Sequence, residues 1–235
     1  MHRTRLAVPL VAALALAFGF QPAHAQGETS RTVAGGGISV PGWKGSVDPK
    51  EAAAGMNVQG AKLSMEGKVL HVTTGPALSY WNPANTASGD YTVSATFTEP
   101  HYMNLNSHPH PSGIFIAGND MGTPQESYLY CAAYGNGNFI VRGFGPEPFQ
   151  MNGGRGEANE AVHKAAGKDQ PVTQQIAMSV KGDKVTCSIN GTQVASYDKS
   201  ALVTSGKLKS TNGVYGIRFA HNTDGTVSDL KVTKP

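Results

Sequence analysis

The chain has 235 residues, of which only 15% are charged, and its 19 Lys+Arg against 16 Asp+Glu give a net charge of +3. Two of the arginines lie in the first 25 residues, so the remainder has a net charge of only +1. Nucleic acids and anionic membranes require concentrated positive charge, and this chain lacks Lys/Arg clusters, so we exclude both as main partners.

The first 25 residues have the pattern of a secretory signal peptide. Arg3 and Arg5 precede an apolar run from Leu6 to Phe20, and small residues flank a cleavage position after Ala25. The apolar run is too short for a membrane span, and no second run of membrane length follows. We therefore expect a mature chain that begins at Gln26 and resides in a periplasm or outside the cell.

The mature chain is predicted to contain a flexible lead and one domain. Residues 26–45 are rich in Gly, Ser and Thr, which is typical of an unstructured segment. Residues 46–235 are of the size that commonly forms a single all-β unit. One helical turn is expected near its start, with Asp48 as N-cap, Pro49 at the first helical position and Gly55 as terminator.

Short alternating segments dominate from Tyr91 to Val232 and predict an all-β fold. In Tyr91–Phe97 every odd position is apolar and every even position is hydroxylated, so one face of this strand is buried. The pairs Gly182-Asp183 and Asn190-Gly191 have the residues of two-residue hairpin turns. The predicted strands are Val69–Thr73, Leu78–Trp81, Tyr91–Phe97, Gly113–Ala117, Tyr128–Tyr134, Phe139–Arg142, Ile176–Lys181, Lys184–Ile189, Thr192–Tyr197, Val214–Ala220 and Val227–Val232.

Two long irregular segments interrupt these strands. We call Glu99–Ser112 the first long loop and Gly143–Pro171 the second long loop. Loops of this length inside compact domains are usually functional or disordered. The two loops together are therefore expected to form the walls of a cleft.

The two cysteines lie on the predicted buried faces of their strands. Cys131 alternates with Leu129, and Cys187 alternates with Val185 and Ile189. In an oxidising compartment they either form a disulfide between two strands or remain small buried apolar groups. A catalytic thiol is less favoured than either, because a nucleophilic cysteine needs access and an activating base.

The order of the motifs resembles the concanavalin A-like jelly-roll superfamily. The similar segments are Ser112–Ile116, the Asn-Gly hairpin in Lys184–Val194, and the closing pair Val214–Phe219 and Val227–Val232, within residues 69–234. The last three are similar to laminin-G-type and 3-keto-disaccharide-hydrolase-type domains. The resemblance implies an antiparallel two-sheet β-sandwich with one concave sheet and a carbohydrate ligand. The Glu-x-Asp-x-x-Glu strand of the superfamily's retaining glucanases does not occur in this chain.

The candidate ligand-binding residues lie on the predicted non-core faces of three strands. Tyr128, Tyr130 and Tyr134 alternate with buried residues, and phenol rings stack on sugar rings while their hydroxyls form hydrogen bonds. The alternative is that these rings pack beneath the second long loop. Arg142 and Arg218 also face away from the core, and each guanidinium can bind ligand oxygens. We select Tyr128, Tyr130, Arg142 and Arg218 as the ligand-binding set.

Histidines supply the remaining candidates. His108 and His110 are separated by one proline, and with His101 or Asp120 they have the residue types of a zinc shell. The spacing is nonspecific, so we favour an unligated surface loop and predict neither a metal site nor a cofactor. His163, with an acidic neighbour in the second long loop, is a candidate for acid–base chemistry.

Three functions fit these observations. The first is noncatalytic recognition of a carbohydrate or similar polyhydroxylated ligand. The alternative is a glycoside-acting hydrolase or lyase of the 3-keto-disaccharide hydrolase type, with His163 and Asp120 as catalytic candidates. The third is a structural or protein-interaction module of the cell envelope, with an unidentified protein partner.

Overall fold

The computed structural model describes residues 28–154 and 156–235. The predicted signal peptide, its cleavage position after Ala25 and the expected first residue Gln26 lie outside the described residues. None of the helices within the described ranges is long and apolar enough to cross a membrane.

Strands form most of the ordered structure, as the alternation predicts. Helix is restricted to α1 (Pro49–Ala53), α2 (Lys199–Leu202) and a 3-10 turn at Val58–Gly60 within the described residues. The strands are β1 (Gly37–Ile38), β2 (Lys44–Val47), β3 (Lys62–Glu66), β4 (Val69–Thr73), β5 (Leu78–Ala87), β6 (Tyr91–Glu99), β7 (Ser112–Asn119), β8 (Ser127–Ala133), β9 (Asn138–Phe144), β10 (Phe149–Gln150), β11 (Glu157–Ala158), β12 (Val172–Lys181), β13 (Lys184–Ile189), β14 (Thr192–Asp198), β15 (Gly213–Phe219) and β16 (Asp224–Thr233).

The strands form two sheets that pack as a sandwich, so the predicted fold class is confirmed. The first sheet has the order β1-β3-β4-β16-β6-β12-β13-β14, and the second has the order β10-β9-β8-β7-β15-β5-β2, with β11 paired to β9. All pairs between these named strands are antiparallel except the short parallel pair of β1 with β3. The main core lies between the sheets and draws buried residues from both.

Strand β6 shows how the alternation produces this core. Tyr91, Val93, Ala95 and Phe97 are buried, while the hydroxylated residues between them are only partly covered. The paired strand β12 places Met178 opposite Val93, so apolar side chains from neighbouring strands share one face.

A disulfide joins the two sheets. Cys131 of β8 in the second sheet is bonded to Cys187 of β13 in the first, with a Cα–Cα distance of 6.3 Å. Both residues are fully buried. The alternation around each cysteine correctly predicts that both point into the core, and of the two alternatives left open by the sequence the structure has the bridge.

The segment expected to be a flexible lead is bonded to the sandwich wherever the structure describes it. Residues 28–45 contain β1 and the start of β2, and the Val33 amide donates to the Gly60 carbonyl at 3.2 Å. The Arg31 amide donates to Asn222 Oδ1 at 2.9 Å. This part of the chain is therefore held along the sandwich by backbone bonds.

The two long loops contact each other. The Asp169 amide donates to the Tyr102 carbonyl at 2.7 Å, and the Tyr102 amide donates to the Gln170 carbonyl at 3.1 Å. The second long loop also contains β10 and β11, which both pair with β9. It therefore extends the edge of the second sheet.

Candidate functional site

The second sheet is buried on its outer face as well as on its core face. Every residue of β8 is buried, because its alternate residues face a second apolar cluster outside the sandwich. This outer cluster consists of Trp81, Phe115, Tyr128, Tyr130, Ala132 and Ile140, with Met121, Tyr134, Phe144 and Val214 packed against it. Tyr128 lies against Phe144 of the second long loop, with ring centres 5.1 Å apart, as in the sequence-based alternative in which the phenols pack beneath that loop.

A buried ion pair lies on this outer face. Arg218 extends from β15, and its Nη2 lies 2.5 Å from Oδ2 of Asp48, the residue immediately before α1. The Arg218 side chain is 7% exposed and that of Asp48 19%. The guanidinium carbon also lies 5.4 Å from the Tyr130 ring centre and 5.9 Å from the Phe144 ring centre, which are cation–π distances.

Asp48 occupies the N-cap position predicted from the sequence, but its side chain does not cap the helix. It makes no hydrogen bond to the amides of α1 and instead binds Arg218. A buried guanidinium needs a counter-ion, and this requirement outweighs a single capping bond.

The ion pair leaves two polar atoms without a hydrogen-bond partner. Asp48 Oδ1 and Arg218 Nε are both buried and unpaired within the described part of the chain. Burial raises the pKa of Asp48 to about 6, and the attraction of Arg218 only partly opposes it. For Arg218, burial acts to lower the pKa, but Asp48 together with Tyr128 and Tyr130 outweighs it and the net shift is upward.

A cavity of about 330 Å³ lies above the ion pair. Its aromatic sides are Tyr130, Phe144 and Phe149. The Phe149 ring approaches so closely because Gly143 has no side chain: a Cβ there would lie 2.2 Å from the ring. We call this cavity the outer-face pocket. Its lining residues are Asp48, Pro49, Lys50, Tyr130, Arg142, Gly143, Phe144, Pro148, Phe149, Gln150 and Arg218.

Arg142 forms the other cationic side of the outer-face pocket. It lies directly opposite Tyr130 in the register of β8 and β9. Its Nε donates to Gln150 Oε1 at 2.7 Å, and its Nη2 donates to the Gly154 carbonyl at 2.9 Å. These bonds hold the guanidinium in place while it remains partly exposed.

The structure therefore brings three of the four sequence-selected ligand residues together. Tyr130, Arg142 and Arg218 all line the outer-face pocket. Tyr128 does not: it is 1% exposed, and its hydroxyl forms a 2.9 Å hydrogen bond with Ser79 beneath the pocket. We therefore correct its assignment from a ligand contact to a residue that supports the pocket. The sequence analysis did not select Asp48 as a ligand residue, because its position before Pro49 was already explained as a helix N-cap.

The two sequence-selected catalytic candidates lie elsewhere. Asp120 is paired with Lys209 at the surface. Nδ1 of the exposed His163 lies 2.8 Å from the Thr173 carbonyl. Neither residue lines the outer-face pocket.

A larger hollow of about 640 Å³ lies near Val203, Leu208 and Pro146. Its charged lining residues are two lysines, Lys207 and Lys209. It has neither an aromatic ring nor a buried ion pair in its lining, so we choose the smaller outer-face pocket as the candidate ligand site.

The histidines of the first long loop have a partner that the sequence did not indicate. His108 and His110 lie against His221, which follows β15, and the ligating nitrogens of all three lie within 4.8 Å of one another. The third member is neither His101 nor Asp120. His221 is 111 residues away from His110 in the chain, and no local spacing pattern links them.

Solved structures that superpose on this chain show its fold. A protein of unknown function with a galectin-like fold from Bacillus subtilis superposes with a TM-score of 0.54 at 14% identity, over 82% of this chain and 89% of that chain. An endo-beta-1,3-glucanase from Pyrococcus furiosus superposes with a TM-score of 0.52 at 11% identity, over 86% and 91%. The fold is the concanavalin A-like jelly roll.

The resemblance noted in the sequence is confirmed at the level of this fold. No protein-family model matches the chain, and no curated protein matches it. At these identities the jelly-roll likeness establishes the architecture alone, because one fold supports many unrelated activities.

Proposed function

We propose that this protein binds a carbohydrate, without catalysis, in the outer-face pocket. The observation that carries the proposal is the convergence of the Asp48–Arg218 pair, Arg142 and Tyr130 on one cavity of about 330 Å³. A sugar hydroxyl both donates and accepts hydrogen bonds, so neighbouring hydroxyls match a carboxylate and a guanidinium placed side by side.

The aromatic lining supports the same ligand class. Tyr130 and Phe144 lie beside Arg218, with ring centres 6.5 Å apart and planes 25° from parallel. Aromatic faces stack on the apolar faces of sugar rings, while Arg142 supplies further donors at the pocket edge. A jelly roll also serves an endo-beta-1,3-glucanase, so this fold accommodates a polysaccharide in at least one protein.

The carboxylates favour recognition over hydrolysis. Glycoside hydrolysis uses two carboxyl groups that flank the scissile bond. Asp48 is the one carboxylate among the described residues that line the outer-face pocket, and it is paired with Arg218. The predicted signal peptide supports a role in a periplasm or outside the cell, where polysaccharides are found.

The test is a glycan-array screen of the mature chain, followed by titration of the best glycan. We expect selective binding that weakens about tenfold or more, equivalent to about 1.4 kcal/mol, in Arg142→Met and in Tyr130→Leu. Both substitutions retain apolar volume, so loss of binding reports lost ligand contacts. The control is Lys62→Met, which removes an exposed charge from β3 in the other sheet.

Two results would contradict the proposal. A blank array for the wild-type chain removes carbohydrate recognition for the sugars printed on it. Equal binding by the wild type, Arg142→Met and Tyr130→Leu moves the ligand away from the outer-face pocket. Release of new reducing ends from the bound glycan would instead establish an enzyme.

A further inference from the structure

Three imidazole nitrogens converge at one end of the sandwich. His110 Nε2 lies 2.8 Å from His108 Nε2 and 3.1 Å from His221 Nε2. His108 and His110 belong to the first long loop, whereas His221 lies between β15 and β16. His110 is buried, His221 is half-buried and His108 is exposed. We call these residues the histidine cluster.

The hydrogen bond made by His110 fixes its tautomer. Its Nδ1 lies 2.5 Å from the backbone carbonyl of His221, and a carbonyl only accepts hydrogen bonds. The Nδ1 atom therefore carries the proton, and Nε2 keeps a lone pair that faces the other two rings.

His221 is oriented in the same way by a hydroxyl and a carboxylate. Ser30 Oγ donates its single proton to the Glu51 carboxylate, at 2.8 and 2.7 Å from the two oxygens. Its oxygen is then free to accept a bond from His221 Nδ1, which lies 3.1 Å away. His221 Nε2 is consequently unprotonated.

The third ring has an acidic neighbour on its outer side. His108 Nδ1 lies 3.5 Å from Oε2 of Glu28. The Ser107 amide donates to the same Glu28 oxygen at 3.1 Å. The contact between His108 Nδ1 and this carboxyl group favours the tautomer in which Nδ1 carries the proton and Nε2 is left for the other two rings.

This arrangement leaves three ring nitrogens with lone pairs within 4.8 Å of one another, and the His110 and His221 rings are stacked with their centres 4.2 Å apart. A single proton can form a hydrogen bond between only two of these nitrogens at a time, whereas one metal ion can bind all three at once. Histidine binds metals through its neutral ring, and the Nδ1 contacts of His110 and His221 leave Nε2 of each ring available in that form.

We propose that His108, His110 and His221 bind one Zn²⁺ ion. Zn²⁺ bound to histidine has Zn–N bonds of about 2.0–2.1 Å and tetrahedral angles, which place ligand nitrogens about 3.3 Å apart. The cluster needs to open by only a few tenths of an ångström to match the two observed separations. Ca²⁺ and Mg²⁺ select oxygen ligands and do not fit three imidazoles.

The outer contacts of the cluster are those of a metal site. Metal-bound histidines donate their second N–H to a carbonyl, a carboxylate or another polar partner, which orients the ring and raises its basicity. Here the His221 carbonyl, Ser30 backed by Glu51, and Glu28 take those positions. Three histidines also leave the fourth tetrahedral position open, on the side of the exposed His108, for water or a ligand atom.

The test is zinc titration of the mature chain after removal of metal by a chelator. We expect one equivalent of Zn²⁺ to bind, with affinity falling about 100-fold or more in His221→Ala and about 10- to 100-fold in Glu51→Gln. The matched control is His71→Ala, which removes a partly exposed histidine from β4 in the first sheet and keeps wild-type affinity.

Cobalt substitution supplies a second measurement. A four-coordinate Co²⁺ complex absorbs strongly in the visible region, and we expect this signal from the wild type and its loss from His221→Ala. Circular dichroism confirms that each variant is folded before titration. Failure of the folded wild type to bind Zn²⁺, equal binding by His221→Ala, or a weakly absorbing six-coordinate Co²⁺ complex would each overturn the proposal.

Discussion

At the scale of single residues, the two candidate sites combine side chains from strand faces with partners from distant parts of the chain. Arg142 and Arg218 were selected because alternation placed them away from the core, and both line the outer-face pocket. Asp48 and His221 were not selected. Their roles depend on partners that are 170 and 111 residues away in the chain, and the periodicity of a single strand or helix does not indicate contacts over such a separation.

Glu99, the last residue of β6, is a half-buried acidic group. Burial raises the pKa of Glu99 to about 7; the hydrogen bond from the Met103 amide opposes this shift, and the nearby Asp224 adds to it. Because the folded-state pKa lies above the ordinary glutamate value of 4.5, the native protein holds more protons than the unfolded chain between these pH values. This residue's contribution to stability is therefore present at low pH and is lost as the pH rises through 7.

We expect Glu99→Gln to remove that dependence. The amide keeps an oxygen for the Met103 amide, which donates to Glu99 at 2.9 Å, but has no charge to bury. The variant should exceed the wild type in free energy of unfolding by about 1 to 2 kcal/mol at pH 8 and match it near pH 4. Urea unfolding at both pH values measures the difference. A difference that is the same at both values would show that ionisation is not its cause.

At the scale of elements, the sequence predicted the strands whose alternation is strong. β4 and β13 agree with the predicted bounds, and β12 extends the prediction toward its N-terminus. The hairpin at Asn190-Gly191 also agrees, because both residues adopt the positive φ that this turn requires.

The elements missed by the sequence analysis have too little alternation to be recognised. β3 buries only Leu63, and β1 has two residues. β10 and β11 are equally short and form only where the second long loop crosses β9. Such strands depend on a sheet edge that is already present, and pattern reading therefore assigned those residues to loops.

The disulfide connects two elements in different sheets. Its cysteines are 56 residues apart in the chain, so the bond restricts a large loop in the unfolded state. Chain-entropy reasoning for that loop gives about 4 kcal/mol, and native proteins typically show about 2 to 4 kcal/mol. We expect the double variant Cys131→Ala, Cys187→Ala to fold with its free energy of unfolding reduced by about 2 to 4 kcal/mol.

Urea unfolding of the oxidised wild type, the reduced wild type and the double variant tests this expectation. The reduced wild type serves as the control, because it loses the bond but keeps both sulfur atoms in the core. Similar midpoints for oxidised and reduced wild type would show that the bond does not constrain the unfolded chain.

At the scale of the whole molecule, α1 lies between the two candidate sites. Asp48, immediately before α1, binds Arg218 beside the outer-face pocket, and Glu51 within α1 holds Ser30 behind His221. One short helix thus supplies a charge to each site. The N-terminal lead completes the second of these arrangements, since Glu28 and Ser30 both come from it.

The lead therefore makes a specific contribution to the proposed zinc site. Its residues contact the histidine cluster through Glu28 and Ser30, and Asn222, next to His221, donates to the Thr29 carbonyl at 3.1 Å. A chain that begins at Thr32 loses these contacts but keeps the three histidines. We expect it to bind Zn²⁺ about 10- to 100-fold more weakly than the chain from Gln26, since groups that hydrogen-bond to metal-bound histidines have effects of this size.

Zinc titration of both chains, with circular dichroism as the check on folding, measures this effect. Ser30→Ala in the full mature chain is the matched variant, because it removes the hydroxyl behind His221 and leaves the lead in place. If the shortened chain and Ser30→Ala both bind as tightly as the full mature chain, the outer contacts do not orient His221. If only the shortened chain is weaker, the lead acts through its backbone bonds to Asn222, which hold the turn that carries His221 against the first long loop.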